Sequence, residues 1–160
     1  ARTAHGPHLT LLQHAQQLHL KRRRGLADFI QEHGATVAAL NGLGPERRLI
    51  PILGGEATGH GWTARVLPGG ADRQLLRPDG IKELDALYEM QHEDGTVLTV
   101  HNRVTIDDAP TEGPRYAFSH VKITAPEGPH AWLNRRVFVG TLHGLLPERQ
   151  AVLIRVWLLR

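Results

Sequence analysis

Asp72 is the residue whose setting most suggests chemistry. It sits in RVLPGGADRQLLRPDG (residues 65–80), which holds three glycines, two prolines, two aspartates and three arginines. Tight glycine turns let a backbone approach a ligand closely and aim the next side chain inward. A carboxylate aimed into apolar surroundings has a raised pKa and can serve as a general base. The competing reading is a turn aspartate that accepts nearby backbone N–H groups.

Arg103 and Asn102 end a strand-like run that is otherwise mostly apolar. An inward Arg103 would hold an anionic or carbonyl oxygen with a forked hydrogen bond. Alternatively it pairs with Asp72 or Asp85 and ties neighbouring strands. Trp132 and Asn134 share one face if their segment is extended. Trp132 then offers a flat apolar wall, and Asn134 both donates and accepts. Tyr88 is a core aromatic whose hydroxyl needs a partner when buried. The candidate catalytic pair is therefore Asp72 and Arg103, with Tyr88, Asn102, Trp132 and Asn134 as ligand contacts.

Other chemistries lack their residues. The chain has eleven histidines, but His101, His120, His130 and His143 fall in or beside separate strands. No H-E-x-x-H pattern gathers them, so no metal centre is expected. Ser119 is the only serine, and no G-x-S-x-G elbow surrounds it. No G-x-G-x-x-G or phosphate-binding loop is present, so no cofactor is expected.

These side chains must be carried by a particular set of elements. After Pro45 the hydrophobic period is two, through RRLIPIL, GWTARVL, ELDALYEM, TVLTVHNRV, RYAFSHVKI, AWLNRRVFVG and AVLIRVWLL. Turn signals separate these runs, and Asp94-Gly95 is the strongest of them. Leu84, Ala86, Tyr88 and Met90 share a face, as do Leu98, Val100, Asn102 and Val104. Apolar faces that carry one polar residue suit a barrel with a liganded or wet interior, because an unpaired buried polar group costs a few kcal/mol. Upstream, Leu26, Phe29, Ile30, His33, Val37 and Leu40 fit a helical stripe, which predicts a helix near 26–40. Gly34 is where that helix would bend or break. His8 to Lys21 reads as a strand, and residues 1–8 as flexible.

The totals fit a single domain. The chain has 160 residues, 41% of them hydrophobic, and a net charge of +3. Acids are spread among the bases without stacking aromatics, which disfavours a nucleic-acid partner. The absence of cysteine removes disulfide and thiol chemistry. No apolar run reaches the ~18 residues of a membrane span, and the N-terminus lacks a signal-peptide core. A cytoplasmic location is the expectation.

The ordered set RRLIPILGGEATG, RVLPGGADRQLLRPDGIKELDALY, EDGTVLTVHNR and HAWLNRRVFVG resembles the small β-barrel family catalogued as domain of unknown function 3237. The resemblance covers about 46–160. It implies a lipocalin-like antiparallel barrel, often paired as a homodimer, and no established activity. Three departures stand out. Arg73 replaces a usual Trp after P-G-G-A-D, Val104 replaces a frequent Gly after N-R, and the segment Leu26–Gly44 is longer than the usual connection.

The fold expected is mainly β, a lipocalin-like barrel with one inserted α-helix near 26–40. The function expected is a small-molecule pocket. If catalytic, it would be a cofactor-free isomerase, cyclase or lyase moving protons on a hydrophobic or aromatic carbonyl compound. The alternative is a non-catalytic binder of such a ligand; a third is a structural homodimer with a filled barrel. AVLIRVWLL is apolar on both faces apart from Arg155, which suggests a covering element or a second chain, hence a homodimer.

Overall fold

The computed structural model describes residues 25–35, 38–40, 46–59, 61–108 and 115–160. Its strands are β1 (Gly25–His33), β2 (Ala38–Leu40), β3 (Glu46–Gly59), β4 (Trp62–Val66), β5 (Ala71–Leu76), β6 (Ile81–His92), β7 (Val97–Asp107), β8 (Tyr116–Thr124), β9 (Phe138–Gly144) and β10 (Ala151–Leu158). A 3-10 turn, Ala131–Arg135, joins β8 to β9. The expected strand at His8–Lys21 and the expected flexible start lie outside the described residues.

Every pairing is antiparallel, and the sheet closes on itself. The order runs β1-β10-β9-β8-β7-β6, then β4 and β5, then β3, which pairs back onto β1. Both neighbours of β3 are split. β4 pairs with its Gly55–Gly59 end and β5 with its Glu46–Pro51 end. β1 and β2 share the other side in the same way. The barrel therefore has eight staves, with β1/β2 and β4/β5 each forming one interrupted stave.

The helix expected at 26–40 is not formed. The segment is strand β1 followed by the short strand β2. The run LADFIQEH satisfies both periods, because Ala27, Phe29 and Gln31 alternate as well as Leu26, Phe29, Ile30 and His33 fit a helix. Pairing decides the outcome. As a strand, this segment satisfies the open edges of both β3 and β10, which would otherwise remain unpaired. Its partner β3 is shaped for close approach: a Cβ on Gly55 would lie 1.9 Å from the Ile30 carbonyl oxygen, and one on Gly59 2.2 Å from that of Leu26. β1 ends at His33, so Gly34 lies just beyond it.

The opening stretch also differs from a simple turn. Leu67–Gly70 does not reverse the chain; it interrupts one stave, since β4 and β5 run in the same direction between β3 and β6. Gly70 makes this break feasible, because a Cβ there would meet the Cβ of Tyr88 at 2.4 Å. The displaced backbone is still bonded, with Leu67 N–H donating to Glu89 O at 2.9 Å and Ile52 N–H to Gly70 O at 2.9 Å.

Inside, Phe29, Tyr88, Met90, Val100, Phe138 and Ile154 are fully buried. Each such side chain contributes about 1.5–3 kcal/mol of burial. They fill the half of the barrel towards the β6–β7 hairpin. The Asp94-Gly95 turn closes that hairpin, with Gly95 at φ +89° and Thr96 N–H donating to Asp94 Oδ1 at 2.8 Å.

Candidate functional site

Alternation along β5 to β8 places a polar set among these apolar walls. Asp72 pairs laterally with Ala86, Ala86 with Asn102, and Asn102 with Val121. Asp72 and Asn102 thus flank the small Ala86 in one row inside the barrel, about 10 Å apart at ~4.8 Å per stave. Ser119 lies in the adjacent row with Leu84 and Val104. Tyr88 lies in the row on the other side. All four polar residues are buried.

Their hydrogen bonding is incomplete. Gln74 Nε2 donates to Asp72 Oδ2 at 2.7 Å. Asp72 Oδ1, Tyr88 Oη, Ser119 Oγ and both polar atoms of the Asn102 amide have no hydrogen-bond partner, and neither has Gln31 Nε2. Each such orphan costs about 1–3 kcal/mol if nothing bonds to it. Burial pushes the Asp72 carboxyl above its ordinary range, opposed by the Gln74 amide. Burial also pushes the Tyr88 phenol up, which keeps it a neutral O–H donor. The arrangement supplies one basic carboxylate, one acid hydroxyl and one amide that both donates and accepts.

Beside this set a cavity of about 990 Å³ opens. Its inner lining includes Arg48, Gln74, Leu84, Val104 and Ser119, and on the outer face of the same staves it reaches Arg73, Asp85 and Arg103. Asp72, Tyr88 and Asn102 are not in its lining; they lie one or two rows further in. Arg48 is held by Glu46, its Nε donating at 2.6 Å.

The remaining sequence candidates fall elsewhere. Arg103 is the neighbour of inward Asn102 and so points out of the barrel, with 68% of its side chain exposed and its Nε 3.9 Å from Asp85. The inward arginine expected from sequence is thus an outward one, and the pair Asp72–Arg103 does not assemble. Arg73 is likewise exposed. AWLNRRVFVG is not one strand, because its first half is the 3-10 turn and β9 begins at Phe138. Asn134 folds that turn: its Nδ2 donates to Ala125 O and its Oδ1 accepts from Ala125 N–H, both at 2.9 Å. Trp132 is exposed and meets Phe138 edge to face, so neither residue shares the inner row of Asp72. Sequence reading missed Ser119, Gln31 and Gln74. Alternation with Ala117 and Val121 marks Ser119 as inward, whereas Gln31 was hidden by the helical assignment.

A second cluster lies at the hairpin end. His92, Asp94 and His130 present ligand-type atoms that all lie within 4.8 Å of one another, although no spacing in the sequence gathers them. No helix among the described residues is long and apolar enough to cross a membrane.

Comparison with known proteins places the whole arrangement. The family described as "Protein of unknown function (DUF3237)" matches residues 30–159. A UPF0311 protein of Rhodopseudomonas palustris strain TIE-1 is 52% identical over 56 residues, 35% of this chain and 37% of that protein. The UPF0311 protein of R. palustris strain CGA009 is 37% identical over 108 residues, 59% of this chain and 70% of that protein. The matched stretches thus span from about a third to about two thirds of these relatives. The crystal structure of a conserved R. palustris protein of unknown function superposes with a TM-score of 0.75 at 28% identity, over 86% of this chain and 97% of that one. A β-barrel-like protein of Acinetobacter baumannii gives 0.74 at 24% identity, over 87% and 96%. An enzyme from Penicillium herquei gives 0.65 at 20% identity, over 83% and 91%; the last two likenesses concern the fold alone.

Proposed function

The chain belongs to the DUF3237 family of proteins of unknown function, and from that premise we propose that its barrel is a pocket for a small hydrophobic or aromatic carbonyl compound. The observation that carries this reading is the ring of buried polar atoms without partners: Asp72 Oδ1, Tyr88 Oη, the Asn102 amide and Ser119 Oγ. An apolar ligand that carries a carbonyl and a hydroxyl fits between apolar walls, its carbonyl accepting from Tyr88 Oη, Asn102 Nδ2 or Ser119 Oγ and its hydroxyl donating to Asp72 Oδ1 or Asn102 Oδ1. The cavity of about 990 Å³ opens beside this set and touches Ser119 among the four residues, so it gives a ligand its way towards the others.

The chemistry such a site supports is proton transfer without a cofactor. Asp72, desolvated and basic, takes a proton from carbon or oxygen of the ligand. The Asn102 amide or the Tyr88 hydroxyl donates to the oxyanion that develops. Isomerisation, cyclisation and elimination all follow from that pair of roles. The Penicillium barrel described as an enzyme fits the idea that this architecture carries catalysis.

A second reading, binding without turnover, is favoured by the outward course of Arg103, which leaves Arg48 as the one arginine or lysine on the inner face near Asp72 among the described residues. The pocket itself is tested by Asn102→Leu, a change of similar volume that removes both orphan groups. Fluorescence displacement against a panel of small aromatic ketones should show saturable binding to the native protein, weakened at least about tenfold by the variant at unchanged fold. No saturable ligand in the panel, or equal binding by Asn102→Leu, would defeat the pocket reading.

A further inference from the structure

We propose that His92, Asp94 and His130 form a site for a first-row divalent transition-metal ion such as Zn²⁺ at the hairpin end of the barrel, remote from Asp72. His92 ends β6, Asp94 sits on the β6–β7 turn, and His130 arrives from the connection between β8 and the 3-10 turn. The cluster is separate from the proposed pocket. His92 lies six residues along β6 from Ala86, the lateral partner of Asp72, or about 20 Å at ~3.3 Å per residue.

Each histidine stands at cis-ligand spacing from one oxygen of the Asp94 carboxylate. His130 Nε2 is 2.8 Å from Asp94 Oδ2, and His92 Nδ1 is 3.0 Å from Asp94 Oδ1. Adjacent donors held about 2.05 Å from an octahedral ion are about 2.9 Å apart, and slightly further apart on a tetrahedral one. The two imidazole rings are 4.2 Å apart between centroids, and their ligand-type nitrogens lie within 4.8 Å of each other and of the carboxylate.

Hydrogen bonding alone leaves the cluster unsettled. The Asp94 backbone N–H points at His92 Nδ1 at 3.2 Å, which makes Nδ1 an acceptor. The Asp94 Oδ1 faces the same nitrogen at 3.0 Å; in that tautomer both are acceptors, and only the other tautomer or a cation joins them. A cation between them turns both contacts into bonds, at the expense of the long N–H contact. The carboxylate is held in place for that role, since the Thr96 backbone N–H donates to its Oδ1 at 2.8 Å. Thr96 also orients it from behind, as an outer-shell partner does.

The donor set selects the ion. Two neutral imidazoles and one carboxylate suit Zn²⁺, Co²⁺, Ni²⁺ or Cu²⁺ and not Mg²⁺ or Ca²⁺, which take mostly oxygen ligands. Three protein ligands leave a position for water, the pattern of an open site and not of a closed four-ligand structural one. His92 is buried against Trp62, with ring centroids 5.8 Å apart. Asp94 is partly exposed and gives the ion its way in. A bound ion would tie the β6–β7 hairpin to the segment preceding the 3-10 turn.

Calorimetric titration of the full chain with ZnCl2, alongside thermal melts, decides the matter. Because other histidines also bind Zn²⁺ weakly, the readout is the difference between the native protein and two variants, His130→Ala and Asp94→Asn. The native protein should bind one more equivalent of Zn²⁺ than His130→Ala, and its melting temperature should rise on Zn²⁺ addition by more than that of the variant. Asp94→Asn keeps an acceptor for the hairpin turn, so it tests the ligand without breaking the fold, and it should bind at least about tenfold more weakly. Co²⁺ should give visible d–d absorption with the native protein that both variants lack. Equal stoichiometry and affinity in all three proteins, or a melting shift with MgCl2 as large as with ZnCl2, would overturn the proposal.

Discussion

Replacing Asp72 with Asn separates a pocket carboxylate from a structural one. Asn is nearly the same shape, so the Gln74 Nε2 donor, now 2.7 Å from Asp72 Oδ2, still finds an oxygen. That bond changes from a charged to a neutral acceptor, a loss of about 1 kcal/mol. Against the loss stands the removal of a buried charge. Burial is the largest influence on Asp72 and outweighs the Gln74 amide, since the carboxyl is raised from 3.8. A group whose folded pKa exceeds its unfolded value stabilises the fold fully only below the unfolded value, and that contribution is lost as pH rises through the folded pKa. At pH 7 the native protein therefore carries the cost of a buried charge that Asp72→Asn lacks. The variant should melt no lower than the native protein at pH 7, and any advantage should shrink as the pH falls towards 4. Differential scanning calorimetry across pH 4–7 reads this directly. A chain of this size shifts by about 2–4 °C per kcal/mol. If Asp72→Asn melts more than ~3 °C lower at pH 7, Asp72 is a structural group and its proposed role as base is wrong.

Other outcomes follow from the same contacts. Gly55→Ala drives a methyl group into the Ile30 carbonyl and should split β1 from β3; it should cost at least ~3 kcal/mol, with near-complete loss of folded protein in expression and circular dichroism. Asn134→Ala removes two hydrogen bonds to Ala125 and should cost about 1–2 kcal/mol in chemical denaturation while leaving pocket binding unchanged. We propose that the chain pairs as a homodimer, the reading drawn from the apolar run AVLIRVWLL; sedimentation velocity at micromolar concentration should show the dimer, and a lone monomer peak would refute it.

The faces of β6 and β7 could be read from the sequence because each strand is half-buried, and strict alternation then sorts Tyr88 and Asn102 from Leu87 and Arg103. The same rule, applied to adjacent residues, puts Asn102 inside and Arg103 outside, so the two cannot share one pocket. β1 was less legible, since LADFIQEH fits two periods and only the edges of β3 and β10, far away in sequence, settle which one it takes. The interruption at Leu67–Gly70 looks like a turn because Pro-Gly-Gly usually is one; here the bulk of Tyr88 beneath Gly70 makes it a break within a stave. His92 and His130 could not be joined on paper, because 38 residues and two strands separate them.

The central claim is that Asp72 moves protons of a carbonyl compound inside the barrel. Proton NMR of small aromatic ketones in deuterated water measures it most directly, as protein-catalysed exchange at the carbon beside the carbonyl. The native protein should accelerate exchange for at least one ketone that binds. Asp72→Asn should bind that ketone and lose the exchange by a factor of about 100 or more, the usual contribution of a general base. Equal exchange by the two proteins would contradict the assignment, as would binding of the ketone by the native protein with no exchange above the buffer rate, which would leave the barrel a binding protein.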